Sequence, residues 1–187
     1  MKRLTSLVLI LSLFWAPIAW ATSQQYVLPG TGVVFADSGQ SGGNVVWTLS
    51  ALASGAGRIS AQYDKGAGAQ PAFWQFVCRL QLTGTNVVGA TVEYYIVRGD
   101  GTDTDGNVGT ADAALTTDKR RNLQFIGTLV VDQTTTNTKM VATFNNVYIP
   151  SRYFSMGVWD ATTLPFKTDT TTHRCAAYPM PFQMQNS

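Results

Sequence analysis

The sequence predicts an all-β protein: a jelly-roll-like antiparallel β-sandwich of about eight or nine strands, behind an N-terminal hydrophobic, signal-like segment. Three observations predict it. Short apolar runs recur along the chain, with Gly- and Thr-rich breakers between them. Inside the runs, apolar and polar residues alternate with the two-residue period of a strand. Of the 187 residues, 45% are hydrophobic and only 13% are charged. That balance can fill the core of one domain and does not suit a disordered chain.

The elements follow in order. "MKRLTSLVLILSLFWAPIAWATS" opens with Lys2 and Arg3, continues as an apolar run from Leu7 to Trp20, and ends on Ala19-Trp20-Ala21. Positive start, apolar middle and small residues around a cleavage point are the three parts of a secretory signal peptide. The run is short for a spanning helix, which needs about 20 apolar residues. Cleavage after Ala21 is expected, leaving residues 22–187 as a single sandwich domain. Without Lys2 and Arg3, the remainder carries 11 Lys+Arg against 11 Asp+Glu. A neutral domain argues against a mainly electrostatic attraction to nucleic acid. Contact with a membrane would come only through the N-terminal segment, were it retained.

Strands are expected at Tyr26–Ala36, Asn44–Leu52, Arg58–Asp64, Phe73–Leu82 and Ala90–Arg98. The series continues with Leu123–Asp132, Lys139–Ile149, Tyr153–Trp159 and Arg174–Met184. In "FWQFVCRLQL", Trp74, Phe76, Cys78, Leu80 and Leu82 share one side, assigned to the core. In "ATVEYYIVRG", Val92, Tyr94 and Ile96 share one face, while Tyr95 and Val97 make the other face apolar too. That strand should therefore be central or lie at an interface. Only "TADAALTTDKRRN" has helical character, one or two turns at Ala111–Lys119.

Catalysis needs converging acid, base or nucleophile groups. The chain has one histidine, His173, and one glutamate, Glu93. His173 is expected as a surface or capping residue at a strand start, and Glu93 as solvated or paired with an arginine. No nucleophile elbow, zinc-type Cys/His pairing or phosphate loop is present in the sequence. The chain is expected not to be an enzyme and to need no cofactor.

The stretch "GDGTDTDGNVGTAD" places Asp100, Asp103, Asp105 and Asp112 within thirteen residues. Asp103, Asp105 and Asn107 alternate as calcium ligands do, and Gly106 permits a sharp turn. The bidentate glutamate of an EF-hand loop is missing, and Asp, Asn and Gly are equally the residues of ordinary turns. A solvated connection is the main expectation, with calcium the weaker one. Tyr153 and Trp159, in "SRYFSMGVWD", are candidates for an interface or a sugar-stacking platform. Cys78 and Cys175 could pair in an oxidising compartment or remain separate buried thiols.

Three segments carry a resemblance: "NVVWTLSALASGAGRISAQYDKGAGAQPAFWQFVCRLQL", "TVEYYIVRGDGTDTDGNVGTADAALTTDKRRNLQFIGTLVVD" and "VYIPSRYFSMGVWDAT". Their texture and order resemble a family of tailed-phage virion structural proteins. The resemblance covers Asn44 to about Thr162. It implies a β-sandwich subunit that decorates the capsid or joins the tail, forms homo-oligomers and contacts other virion proteins. On that view Arg58, Asp64 and Arg152 make structural or interface contacts beside the turn at Lys65–Gly68. The signal-like segment and the cysteine pair depart from the family, whose particles assemble in the cytoplasm. The expected location is the virion. The alternative is a secreted or periplasmic module binding a surface glycan.

Overall fold

The computed structural model describes residues 32–68 and 70–180. The signal-like segment and the outer parts of the first and last expected strands lie outside the described residues. Among the described residues eleven strands are formed: β1 Val33–Ala36, β2 Val45–Val46, β3 Gly57–Ile59, β4 Tyr63–Asp64, β5 Phe73–Gln81, β6 Thr91–Gly99, β7 Ala113–Leu115, β8 Gln124–Val130, β9 Lys139–Tyr148, β10 Tyr153–Asp160 and β11 Arg174–Met180. Among the described residues one short α-helix, α1, spans Thr117–Arg120, and Asp105–Asn107 forms a single 3-10 turn.

The strands form two sheets. Sheet I has the order β2-β1-β11-β5-β9. Sheet II has the order β7-β3-β10-β6-β8, with β4 also on β10. β3 and β4 are two pieces of one strand, both paired with β10 and separated by Ser60–Gln62. Counted that way, and with the short β2 and β7 set aside, eight strands remain, four per sheet. From β4 to β6 and again from β8 to β11 the chain changes sheet at every step. That alternation is the wiring of a jelly roll. The pairings are antiparallel except β1 with β2, which is parallel.

The strand count of eight or nine thus becomes eleven, because one expected strand is broken and one was not foreseen. The unforeseen strand is β7. Ala111–Lys119 was expected to be helical, but Ala113–Leu115 pairs with β3, and only Thr117–Arg120 is helix. Thr116 caps that helix, its hydroxyl accepting from the Lys119 amide.

Between the sheets lies the main core. Phe35, Trp47, Phe76, Phe154, Leu80 and Ile96 are fully buried there. The assigned inward side of β5 is confirmed by the burial of Trp74, Phe76, Cys78, Leu80 and Leu82. Rings from both sheets interlock: Phe154 lies 5.3 Å from Trp74, 5.5 Å from Tyr63 and 5.7 Å from Phe35, tilted or edge-on. Those are the arrangements aromatic quadrupoles favour. A second, smaller core lies on the outer side of sheet II. It joins Ile59, Tyr95 and Val97 to Val108, Leu115 and Leu123. This explains the doubly apolar β6, which runs between β10 and β8 with both faces covered.

Candidate functional site

The Asp-rich stretch is the cover of sheet II. From the end of β6 to the start of β8 the chain crosses the outer face of that sheet. Its first turn is made by Asp100, whose carboxylate accepts the amides of Thr102 and Asp103, each at 2.8 Å. Asp105 accepts from the Arg98 side chain at 3.0 Å. Val108 then drops into the small core, and β7 docks on β3. Asp112 takes both ends of the Arg58 guanidinium, at 2.8 and 3.0 Å, and accepts from Thr48 as well. Burial pushes the Asp112 carboxyl up, but the bonds from Arg58 and Thr48 outweigh it and hold the group below its ordinary value.

Each of these carboxylates therefore has a structural task. Of the calcium candidates Asp103, Asp105 and Asn107, Asp105 is engaged by Arg98, while Asp103 and Asn107 are exposed. Among the described residues no group of three or more His, Cys, Asp or Glu side chains is placed to hold a metal ion. A shallow hollow of about 650 Å³ does open beside Asp100, Asp103 and Asp105, against Pro150 and Ser151.

Arg58, Asp64 and Arg152 all take part in ion pairs. Arg58 and Asp64 sit six residues apart but do not pair with each other. Arg152 binds Asp64 through two bonds of 2.7 Å. With the Gly66 amide, it draws the Asp64 carboxyl down to about 2. The Arg152 guanidinium also lies 4.8 Å above the Tyr153 ring. Trp159 is covered in the same way by Arg120, at 4.3 Å. Arg120 in turn binds Glu93 at 2.8 Å, and Glu93 accepts the Tyr95 hydroxyl at 2.5 Å. Burial, followed by this bond to Glu93, raises the Tyr95 hydroxyl above its ordinary value. The edge of Trp159 fits only because residue 57 is glycine, where a Cβ would fall 2.6 Å from the ring. The two candidate stacking aromatics are thus each capped by an arginine of the same chain.

His173 is fully buried, not at the surface. The β10–β11 connection folds back so that Nε2–H donates to the Lys167 carbonyl at 2.8 Å. Nδ1 accepts the Gln81 amide, and the ring lies 5.3 Å from Phe166. The two partners fix one neutral tautomer, and burial lowers the pKa. Lys65 is a second buried basic side chain, one that the sequence did not mark. Its ammonium donates to the carbonyls of Pro71 and Ile149, tying the end of sheet II to the end of sheet I.

Cys78 and Cys175 form a disulfide between directly opposed residues of β5 and β11. It faces the core. On the other side of the same strands, sheet I has no cover among the described residues. Its outer face carries Tyr148 and Phe73, tilted against each other with ring centres 5.3 Å apart, with Tyr178 and Val141 exposed. At the opposite end of that face Arg79 and Arg174 stand directly across from one another on β5 and β11. Arg79 is tethered to the Thr171 and Thr172 carbonyls, while Arg174 and Lys139 are exposed. No protein-family model matches the chain, and no curated protein matches it.

Proposed function

We propose that the protein is a non-enzymatic structural subunit of a tailed-phage particle, a capsid-decoration or tail-associated component. It acts by docking its flat face on neighbouring proteins, other copies of itself included. The observation that carries this reading is the outer face of sheet I, which no second layer covers among the described residues. Aromatic and aliphatic side chains lie exposed there, beside the Arg79–Arg174 cross-strand pair, whose repulsion Asp169 offsets only on the Arg79 side. All of the chain's 11 Asp and Glu residues lie among those described, and none of them pairs with Arg174 or Lys139. A neighbouring protein surface with carboxylates and apolar side chains would answer both features. The jelly roll supports the reading at the level of fold, since capsid subunits and lectins both use it. The sequence motifs supply the particle.

A second reading is favoured by the disulfide. Such bonds persist in the periplasm, outside the cell and on virion surfaces, so an exported surface-binding module also fits. Its glycan platform would have to be the Tyr148–Tyr178 side of sheet I, because Trp159 and Tyr153 are capped by Arg120 and Arg152. Peptide mass spectrometry on gradient-purified particles, and in parallel on periplasm and culture medium, separates the two. Banding with particles is the expected result. Recovery only off particles, beginning at Thr22, would replace the particle subunit with the exported module.

A further inference from the structure

The β2–β3 connection passes from sheet I to sheet II, and its last part, "LSALASGA" from Leu49 to Ala56, is a thin strap. Beyond Leu49 and Leu52 it holds only Ala, Ser and Gly, and none of its side chains titrates. Ala51 sits at φ 58°, a left-handed conformation that its Cβ makes unfavourable. Two residues with buried carboxylates hold the ends of the strap. Asp37, next after β1, accepts the Leu49 and Ser50 amides through Oδ1, at 2.9 and 3.2 Å. Asp160, the last residue of β10, accepts the Gly55 amide at its backbone carbonyl and donates its own amide to the Ala56 carbonyl, each at 2.9 Å. Between the ends, Ala51 donates to the Lys167 carbonyl, the Leu52 carbonyl accepts the Phe166 amide, and the Ser54 hydroxyl donates to the Thr162 carbonyl.

Neither carboxylate forms an ion pair among the described residues. Asp160 is fully buried; its Oδ1 accepts the Thr162 amide, and Oδ2 has no partner. Asp37 is 4% exposed, and its Oδ2 has none either. The titratable group facing Asp160 from β6 is the Tyr94 phenol, itself pushed up by burial and by Asp160. Glu93, also on β6, is held by Arg120 and Tyr95. The stretch Ala161–Phe166 holds no titratable side chain, and the Lys167 ammonium that follows lies beside Asp169. Around Asp37 stand His173, held neutral by Lys167 and Gln81, and the Arg58–Asp112 pair. Burial pushes the Asp160 carboxyl up to about 6, against the bonds from Thr162. Burial raises the Asp37 carboxyl too, against the Ser50 and Leu49 amides.

We propose that Leu49–Ala56 is a proton-gated strap, which lifts to let water reach Asp37 and Asp160 when they are charged and stays shut when they hold protons. A buried charge without a partner is costly, and local opening is the least demanding way to hydrate it. A carboxyl raised in the closed form binds its proton more tightly there than in the open form, whose value is near the ordinary 3.8. Closure is therefore strongest below 3.8 and weakens as pH rises to about 6. His173, whose pKa burial lowers, acts in the opposite sense below its ordinary 6.5, so Asp160 is read by comparison with a variant at each pH. The molecule thus has an end that loosens at neutral pH and tightens in mild acid, whatever the outer face of sheet I docks on.

The test is amide hydrogen exchange, corrected for intrinsic rates, on the purified full chain at pH 5 and pH 7. Protection of the Gly55 amide should be about tenfold higher at pH 5. At pH 7 it should lie well below that of the β5 amides. In Asp160→Asn, nearly identical in shape, most of the rise should vanish. A wild-type strap equally protected at both pH values overturns the proposal, as does a rise that survives intact in Asp160→Asn. Protection equal to that of β5 means that the strap opens only with the whole molecule, and overturns it too. Should Asp160→Asn not fold, carbon NMR titration of the wild-type Asp160 carboxyl decides: a midpoint near 6 is expected, and an ordinary one near 3.8 overturns the gate.

Discussion

The two outer faces of the sandwich start from similar strands and are finished differently. On sheet II, Tyr95, Val97 and Ile59 would lie open to water if the chain ran directly from β6 to β8. Instead Gly99–Asn122 folds across them and adds Val108, Leu115 and Leu123 to a second core. Arg58–Asp112, Arg98–Asp105 and Arg120–Glu93 fasten that cover at three points. The cover stops short of β8, where Phe125 and Val130 remain exposed. On sheet I the outer face has no cover among the described residues, and a disulfide holds the strands from within. A covered face contributes to folding. A face without cover among the described residues, with like charges opposed on it, is open to contact.

The first way to sharpen the comparison is to remove what holds sheet I. The bond joins residues 97 apart in sequence, so its loss releases a long loop in the unfolded chain. Replacing Cys78 and Cys175 by Ala together should lower stability by about 2–5 kcal/mol, read by denaturant unfolding without reductant. A loss below the noise of the measurement would mean that packing alone holds β5 to β11.

The next largest effect belongs to the cover. Leu123→Ala and Leu115→Ala each remove a buried side chain from the small core and should cost about 2–4 kcal/mol. Val141→Ala, on the bare face, should cost less than about 0.5 kcal/mol. Equal losses would erase the distinction between the faces.

Acid should loosen the cover before it loosens sheet I. The Asp112 carboxyl is held below its ordinary value in the folded protein, chiefly by Arg58 and Thr48 acting against burial. Asp100 is lowered by the Thr102 and Asp103 amides. A carboxyl lowered on folding contributes stability that is fully present above its unfolded value, near 3.8, and is lost as pH falls through the folded one. Hydrogen exchange, corrected for intrinsic rates, should therefore show amides of residues 99–122 losing protection below about pH 4, ahead of β5 and β11. Asp112→Asn should weaken this response and cost about 1–3 kcal/mol at neutral pH. Simultaneous loss of protection in both sheets would show that the cover is not a separate unit.

Much of this architecture was legible because strands announce themselves locally. The β5 pattern identified its inward face, and the doubly apolar β6 marked a strand that is central or lies at an interface. What was not legible depends on residues distant in sequence. "ADAALTTDKR" reads as helical from its Ala, Leu and Lys content, yet Ala113–Leu115 finds the edge of β3 and becomes a strand. Arg58 was expected to contact groups near Asp64, but its partner Asp112 lies 54 residues away. His173, alone at a strand start, was expected as a surface or capping residue. Its burial follows from the return of Lys167 beneath it. The two cysteines gave no distance, and only the register of β5 on β11 places them opposite each other. Asp37 could have been noticed as an acid closing an apolar strand, but nothing local says that one of its oxygens is left without a partner.

The smallest expected effect on stability is the most informative about contact. Tyr178 on sheet I and Phe125 on sheet II are comparably exposed, at 48% and 55%. Each is a large ring on a strand, so burial alone does not tell them apart. Their neighbours do. Phe125 packs against Tyr95 at 5.6 Å, within its own sheet. Tyr178 lies over Gly32, across from Gln75, on the uncovered side. Tyr178→Ser should change stability by no more than about 0.5 kcal/mol and yet reduce self-association, followed by sedimentation at rising protein concentration. Phe125→Ser should cost about 1 kcal/mol through the lost ring pair and leave association unchanged. The reverse pattern would move the contact surface to the β8 edge of sheet II. If neither substitution alters a chain that does associate, the contact involves neither face. If the wild type sediments as a monomer at every concentration, docking on sheet I, where it occurs, must be to a different protein.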